Sequence, residues 1–132
     1  AALPVRRDQD GTLQVLLVTS RETRRWVIPK GWPWPDLADH LAAAEEAREE
    51  AGVRGVPRET SLGCYVYEKR GKNGLRTVSV EVYLLEVTRE FDAWPESGER
   101  TRTWFTPTAA AEAVAEPELQ LILRDLEARL PR

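Results

Sequence analysis

The run Glu45-Glu46-Ala47-Arg48-Glu49-Glu50-Ala51-Gly52-Val53 packs four carboxylates into six residues, within a segment whose alanines favour helix. Residues three and four apart are neighbours on a helix surface, so Glu46, Glu49 and Glu50 converge on one side. Like charges at that spacing each cost roughly 0.2–0.5 kcal/mol in an isolated helix. A hard divalent cation held by oxygen ligands reverses the penalty, and the segment reads as a Mg2+ or Mn2+ site. The helix is expected over about Leu37 to Ala51. Asp36 is placed to cap it, Asp39 to meet the dipole of its first turn, and Gly52 to end it in the left-handed conformation. Ala43, Ala47 and Ala51 repeat every fourth residue beside the acids, a small-residue strip suited to lying close on a sheet.

Ahead of the helix, Trp26-Val27-Ile28 reads as a short buried strand. Gly31-Trp32-Pro33-Trp34-Pro35 is too rich in proline for helix or strand and forms a loop. Strand, glycine loop and acidic helix make one unit, and from Gly31 to Val53 that unit resembles the Nudix box, G-x5-E-x7-R-E-U-x-E-E-x-G-U with U aliphatic. Gly31, Glu46, Glu49, Glu50, Gly52 and Val53 fix the register. Two positions depart from the pattern: Leu37 stands for a glutamate and Glu45 for an arginine. In the family that arginine orients a catalytic glutamate through a charge-assisted bond, so Glu45 calls for a cation from elsewhere. Arg48, an arginine of a neighbouring loop and an additional metal ion are the candidates.

The resemblance implies an α/β fold, a Nudix-type α/β/α sandwich with a mixed β-sheet, as a single domain over residues 1–132 with its box at 31–53. The remaining segments agree. Leu13 to Thr19 is a near-continuous apolar run of strand length, expected at the centre of a sheet covered on both faces. Leu62 to Arg70 and Leu75 to Val87 flank Gly71-Lys72-Asn73-Gly74 and predict a hairpin. In its second strand Val78, Val80, Val82 and Leu84 give an apolar face, while Glu81 is expected to pair with an arginine on the other. Arg102 to Phe105 is a last short strand. Helices are expected from Pro107 and from Pro117, the second with Leu119, Ile122, Leu123, Leu126 and Leu130 as its core stripe. The lone His40 reads as a surface residue.

Within the family, relatives hydrolyse a phosphoanhydride in a polyphosphorylated small molecule with Mg2+ or Mn2+. By this resemblance Glu46, Glu49 and Glu50 are metal ligands, the Gly31 carbonyl completes the coordination sphere, and Glu49 or Glu50 handles the attacking water. Which carboxylate is the base varies across the family and stays open. A closer resemblance joins Val15 to Arg21, Arg25 to Pro29, Arg76-Thr77, Trp94-Pro95-Glu96 and Arg102 to Phe105 to the bacterial diphosphoinositol polyphosphate phosphohydrolase-like branch. It implies that Arg21, Arg76 and Arg102 contact polyphosphate. Arg25 and Lys30, in the basic cluster before the metal helix, are expected beside them, since guanidinium forks and ammonium groups suit phosphate oxygens. The substrate is then a diphosphoinositol polyphosphate or a dinucleoside polyphosphate. Two other readings stand: a pyrophosphatase of ADP-ribose, nucleotide sugars or oxidised nucleotides, with Trp32 and Trp34 as stacking surfaces, and a non-catalytic ligand-binding regulatory module, which Leu37 and Glu45 support.

Net charge is −3, so no global basic field favours nucleic acid. Cys64 is alone, which excludes an intrachain disulfide and a cysteine-cluster zinc site and suits a reducing compartment; packing is its expected role. No apolar run approaches the ~20 residues needed to span a bilayer, and no charged-then-apolar leader opens the sequence. A cytoplasmic protein without membrane contact, monomeric or homodimeric, is expected.

Overall fold

A computed structural model of the chain describes residues 1–130. Strand β2 (Leu13–Thr19) pairs antiparallel on one edge with β1 (Ala2–Arg7) and, further along, with β3 (Trp26–Val27), and on its other edge with β7 (Arg102–Phe105). The strand alternates its side chains between two cores, as a period of two requires. Leu16 and Val18 face one cluster with Ala2, Val53 and Leu85, while Val15 and Leu17 face another with Leu3, Val82 and Leu84. Helix α1 (Asp39–Ala51) covers the first cluster through Ala43, Ala47 and Ala51, the anticipated small-residue strip.

After α1 comes β4 (Val53–Pro57) at the end of the strand order, paired antiparallel with β6 (Gly74–Glu90) across a bulge at Arg54/Gly55. The first half of β6 forms the expected hairpin with β5 (Gly63–Gly71); its second half pairs parallel with β1, which makes the sheet mixed. Alternation holds along β6: Val80, Val82 and Leu84 are buried and Glu81 is exposed. Leu85 is buried as well, because the sheet there is covered on both faces by the two clusters. Helices α2 (Pro107–Ala113) and α3 (Pro117–Arg129) close the opposite face. Leu119, Leu123 and Leu126 are fully buried there, each contributing roughly 1.5–3 kcal/mol of transfer free energy. The layers are therefore helix, mixed sheet, helices.

Three local expectations are corrected. Helix α1 starts at Asp39 rather than Leu37, and its N-cap is Ala38, with no side-chain cap from Asp36. The reason is a turn before it, in which the Leu37 N–H donates to the Trp34 carbonyl at 3.3 Å. Cys64 is exposed rather than packed, because Tyr65 takes the inward position of β5. Glu81 accepts from the Ser61 hydroxyl at 2.5 Å in place of an arginine. Leu130, at the C-cap of α3, is half-buried and packs against the same core as the stripe, as expected. Among the described residues no helix is long and apolar enough to cross a membrane.

Candidate active site

Helix α1 turns its acids toward the end of the sheet where β3 runs out. The chain leaves β3 through Ile28 and Pro29, and Gly31 passes so close to α1 that a β-carbon there would overlap the Glu46 carboxyl. A side chain there would displace the Glu46 carboxyl, so glycine lets the backbone form one wall of the acid pair. The Lys30 N–H donates to Glu50 Oε1 at 3.4 Å, and the Trp34 indole N–H donates to Glu46 Oε1 at 3.3 Å. The loop thus holds both carboxylates from one side.

From the other side comes the segment that leads into β7. The Trp94 indole N–H donates to the Glu50 carbonyl at 3.0 Å, and the Glu96 N–H donates to the Glu49 carbonyl at 3.1 Å. Arg100 lies almost wholly buried. Its Nε donates to Glu96 Oε1 at 2.7 Å, one terminal nitrogen donates to the Thr19 carbonyl at 3.1 Å, and the other lies 3.6 Å from Glu50 Oε1. Glu50 is only 6% exposed. Burial pushes its pKa up to about 8; Arg100 pulls the other way, while a hydrogen bond with Glu46 and the charges of Glu46 and Glu96 add to the rise. Burial likewise lowers the pKa of Lys30, against the pull of Glu50.

Two carboxylates that share a hydrogen bond, with a third close enough to raise the pKa of one of them, are a hard-oxygen donor set. A divalent ion would take the place of the proton that the raised pKa of Glu50 implies. The residues present therefore fit Mg2+ or Mn2+. Among the described residues no three histidine, cysteine, aspartate or glutamate side chains are already grouped at ligand spacing; Glu46 and Glu50 are the pair around which a site would be completed.

The acids open onto a cleft of about 1030 Å3 that Gly31, Glu46, Glu50, Arg21, Arg25 and Lys30 all line. Glu49, Arg76 and Arg102 lie outside it. Glu49 sits on the solvent side of α1, 3.7 Å from Arg48, and Arg76 faces Lys69 across the β5–β6 ladder. Arg102 turns toward the end of α1 instead. Its guanidinium donates to the carbonyls of Ala51 (2.9 Å), Gly52 (3.1 Å) and Phe91 (2.6 Å) and stacks on Trp94 at 4.0 Å. The arginine of that segment that lines the cleft is Arg100.

Sequence reasoning also passed over Glu96 and Tyr67, which line the same cleft; Lys69, one of the basic residues beside the hairpin turn, lines it too. Glu96 had a signal, the Trp94-Pro95-Glu96 stretch of the branch resemblance. Tyr67 had a weaker one: two residues before Lys69 on a strand, it shares a face with that cation. Lys30 lies 4.9 Å above the Tyr67 ring and Lys69 lies 5.0 Å above Trp32. Trp32 is 57% exposed.

A buried Glu50 beside a half-buried Glu46 on one helix, opening into a cleft that carries cations, defines a site built for a cation-bound anion. A family model described as the NUDIX domain matches residues 1–126, and the chain belongs to the Nudix hydrolase family. It is 42% identical over 109 residues to Nudix hydrolase 12, mitochondrial, of Arabidopsis thaliana, covering 76% of this chain and 51% of that protein. It is 39% identical over 95 residues to the human diphosphoinositol polyphosphate phosphohydrolase 3-beta, covering 70% and 54%. The chain spans about half the length of these curated relatives. Among solved structures, the binary complex of a C. elegans Ap4A hydrolase superposes with a TM-score of 0.70 over 98% of this chain and 94% of that one, at 21% identity, a likeness of fold.

Proposed function

We propose that the chain catalyses the divalent-metal-dependent hydrolysis of a phosphoanhydride in a polyphosphorylated small molecule, and that a dinucleoside polyphosphate is preferred to a diphosphoinositol polyphosphate. Family membership and the Glu46–Glu50 pair support the reaction class. Glu46 and Glu50 would hold Mg2+ or Mn2+, with the Gly31 carbonyl, and Glu49 or Glu96 contributing from the rim. When bound, the metal supplies charge neutralisation at phosphate oxygens and a coordinated water of lowered pKa. Around it the chain's own groups bind and orient. Arg21, Arg25 and Lys30 receive the phosphates, and a carboxylate of α1 takes the proton of the attacking water.

The observation that carries the substrate preference is the charge of the cleft. Besides the metal pair Glu46 and Glu50, its walls hold five side-chain cations, Arg21, Arg25, Lys30, Lys69 and Arg100, against four acids, Glu22, Asp39, Glu81 and Glu96. Three of the cations already meet carboxylates: Arg21 with Glu99 (3.8 Å), Arg25 with Glu116 (3.6 Å) and Arg100 with Glu96 (2.7 Å). An inositol ring with phosphate on nearly every oxygen demands a strongly positive cage. A dinucleoside polyphosphate concentrates its charge on one linear chain and offers two planar bases, for which Trp32, Trp34 and Tyr67 are surfaces at the cleft. The names of the human relative and of the C. elegans structure support the two substrates in turn. A cytoplasmic location, a single domain and a monomeric or homodimeric state belong to the same proposal.

The test is product formation on a panel of diadenosine polyphosphates, diphosphoinositol polyphosphate, ADP-ribose and an oxidised nucleoside triphosphate, with Mg2+ or Mn2+ and with Glu50→Gln as control. Highest kcat/KM on a diadenosine polyphosphate, lost in the control, supports the proposal. A higher value on the inositol compound removes the charge argument. Folded protein that turns over nothing points to a ligand-binding module.

A further inference from the structure

The box pattern places an arginine directly before Glu46, and this chain has Glu45 there. Arg48 attends to that substitution on the solvent side of α1, where its Nε donates to Glu45 at 3.1 Å and a terminal nitrogen lies 3.7 Å from Glu49. The inner acid Glu50 meets a different cation. We propose that Arg100, from the loop before β7, is the positioning residue of Glu50 and fixes which of its oxygens faces a metal. The proposal rests on the metal-dependent reading of the site given above.

Geometry carries it. Arg100 is gripped at two of its three nitrogens, by Glu96 and by the Thr19 carbonyl, so that the third is aimed at Glu50 Oε1. Its anchors are themselves anchored. The Thr101 N–H donates to the Thr19 hydroxyl at 2.9 Å, the Thr19 N–H donates to the Thr101 carbonyl at 3.0 Å, and the Glu96 N–H is bonded to the end of α1. The Lys30 N–H approaches the same Oε1. An ion-pair contact and one N–H donor on the same oxygen leave Oε2 for Glu46 or for a cation shared with it. Only a planar fork reaches three acceptors in three directions; a lysine ammonium is a point charge on a flexible stem. Groups that orient metal ligands in this way typically change metal affinity by about 10–100-fold when removed.

The positioning role and a simple charge effect differ in sign. Taking a positive charge away from beside two acids, by itself, tightens the binding of a cation. Loss of positioning weakens it. Mn2+ affinity of the full chain is to be measured by electron paramagnetic resonance of free Mn2+ for wild type, Arg100→Lys and Arg100→Ala, with melting temperature recorded for each. Arg100→Ala is expected to bind Mn2+ about tenfold more weakly, and millimolar guanidinium to restore part of the loss where sodium at equal ionic strength does not. Arg100→Lys, which keeps charge and length, carries the test if the alanine variant does not fold; it too is expected to bind more weakly. Wild-type affinity in Arg100→Lys, or tighter binding in Arg100→Ala, overturns the proposal. Wild-type protein that binds Mn2+ yet hydrolyses nothing would refute the reaction and leave Arg100 standing, whereas wild-type protein that binds no Mn2+ removes the site on which both rest.

Discussion

Metal binding to this protein is expected to depend on pH through Glu50. The perturbation is a change of pH from 6 to 9 on the metal-free chain. With its pKa pushed up to about 8, Glu50 carries a proton over most of that range, and a divalent ion must displace it. One proton released per ion makes the apparent Kd fall about tenfold per pH unit below 8 and level off above it, or about 100-fold between pH 6 and 8. Titration calorimetry in buffers of different ionisation enthalpy reads the proton directly. A Kd that does not change between pH 6 and 8, with no proton released, would refute the buried-acid argument.

The same shift has a consequence for stability, with the opposite direction to that of an ordinary salt-bridged acid. Below the unfolded value of 4.5 both states are protonated and Glu50 contributes nothing to the pH dependence. Between 4.5 and about 8 the unfolded chain has lost the proton and the folded chain retains it, so unfolding releases a proton and stability falls as pH rises. The shift allows at most about 5 kcal/mol over that window, and relaxation of the site brings it lower. Glu50→Gln, which cannot ionise, is expected to flatten this part of the stability curve in metal-free protein and to abolish Mn2+ binding. A variant whose pH dependence matches the wild type would place the buried charge elsewhere.

Three further outcomes are expected. Trp32→Ala removes an exposed ring at the cleft; it should leave the melting temperature unchanged and raise KM for a dinucleoside polyphosphate about tenfold, as loss of one base stack implies, and an unchanged KM rules out stacking there. Gly31→Ala drives a methyl group into the Glu46 carboxyl and should weaken Mn2+ affinity about tenfold, read in the same titration. Arg102→Gln strips three carbonyls and the Trp94 ring of their partner and should cost about 2–3 kcal/mol in urea unfolding.

What was legible in the sequence is what local chemistry determines. Gly52 ends α1 at φ 67° with its N–H on the Arg48 carbonyl, and prolines open α2 and α3 where expected. The hairpin turn at residues 71–74 and the two-faced burial of Leu13 to Thr19 follow from patterns a few residues long. Strands β1 and β4 were not anticipated. Ala2 to Arg7 carries a proline and no alternation, and its place is set by parallel pairing with residues 83–86. Val53 to Pro57 is interrupted at Gly55, where the bulge lets the backbone of β6 approach more closely than a side chain would allow. In the site, Glu46 and Glu50 were visible because a helix makes residues four apart neighbours. Arg100 was legible only as one basic residue among several and Glu96 had no role, since their contact with α1 depends on tertiary structure alone.

The two departures from the box can now be placed in one physical scheme. Leu37 falls in the turn before α1, ahead of the first helical residue, so the missing glutamate leaves no gap among the acids that line the cleft. Glu45 faces outward and is answered by Arg48 three residues on, an exposed pair of the kind worth no more than about 1 kcal/mol. Neither substitution reaches Glu50. The inner acid is instead organised by residues 94–102: Trp94 on its carbonyl, Arg100 on its carboxyl, and Arg102 on the helix end below it. A helix-borne arginine can orient a carboxylate only along its own surface, three or four residues away. A loop-borne one approaches from across the cleft, holds Glu50 and Glu96 together, and ties the acid pair to β2 through Thr19. The position of the metal-binding carboxylates therefore depends on how that loop packs, and substitutions there are expected to act on metal affinity before they act on substrate contacts.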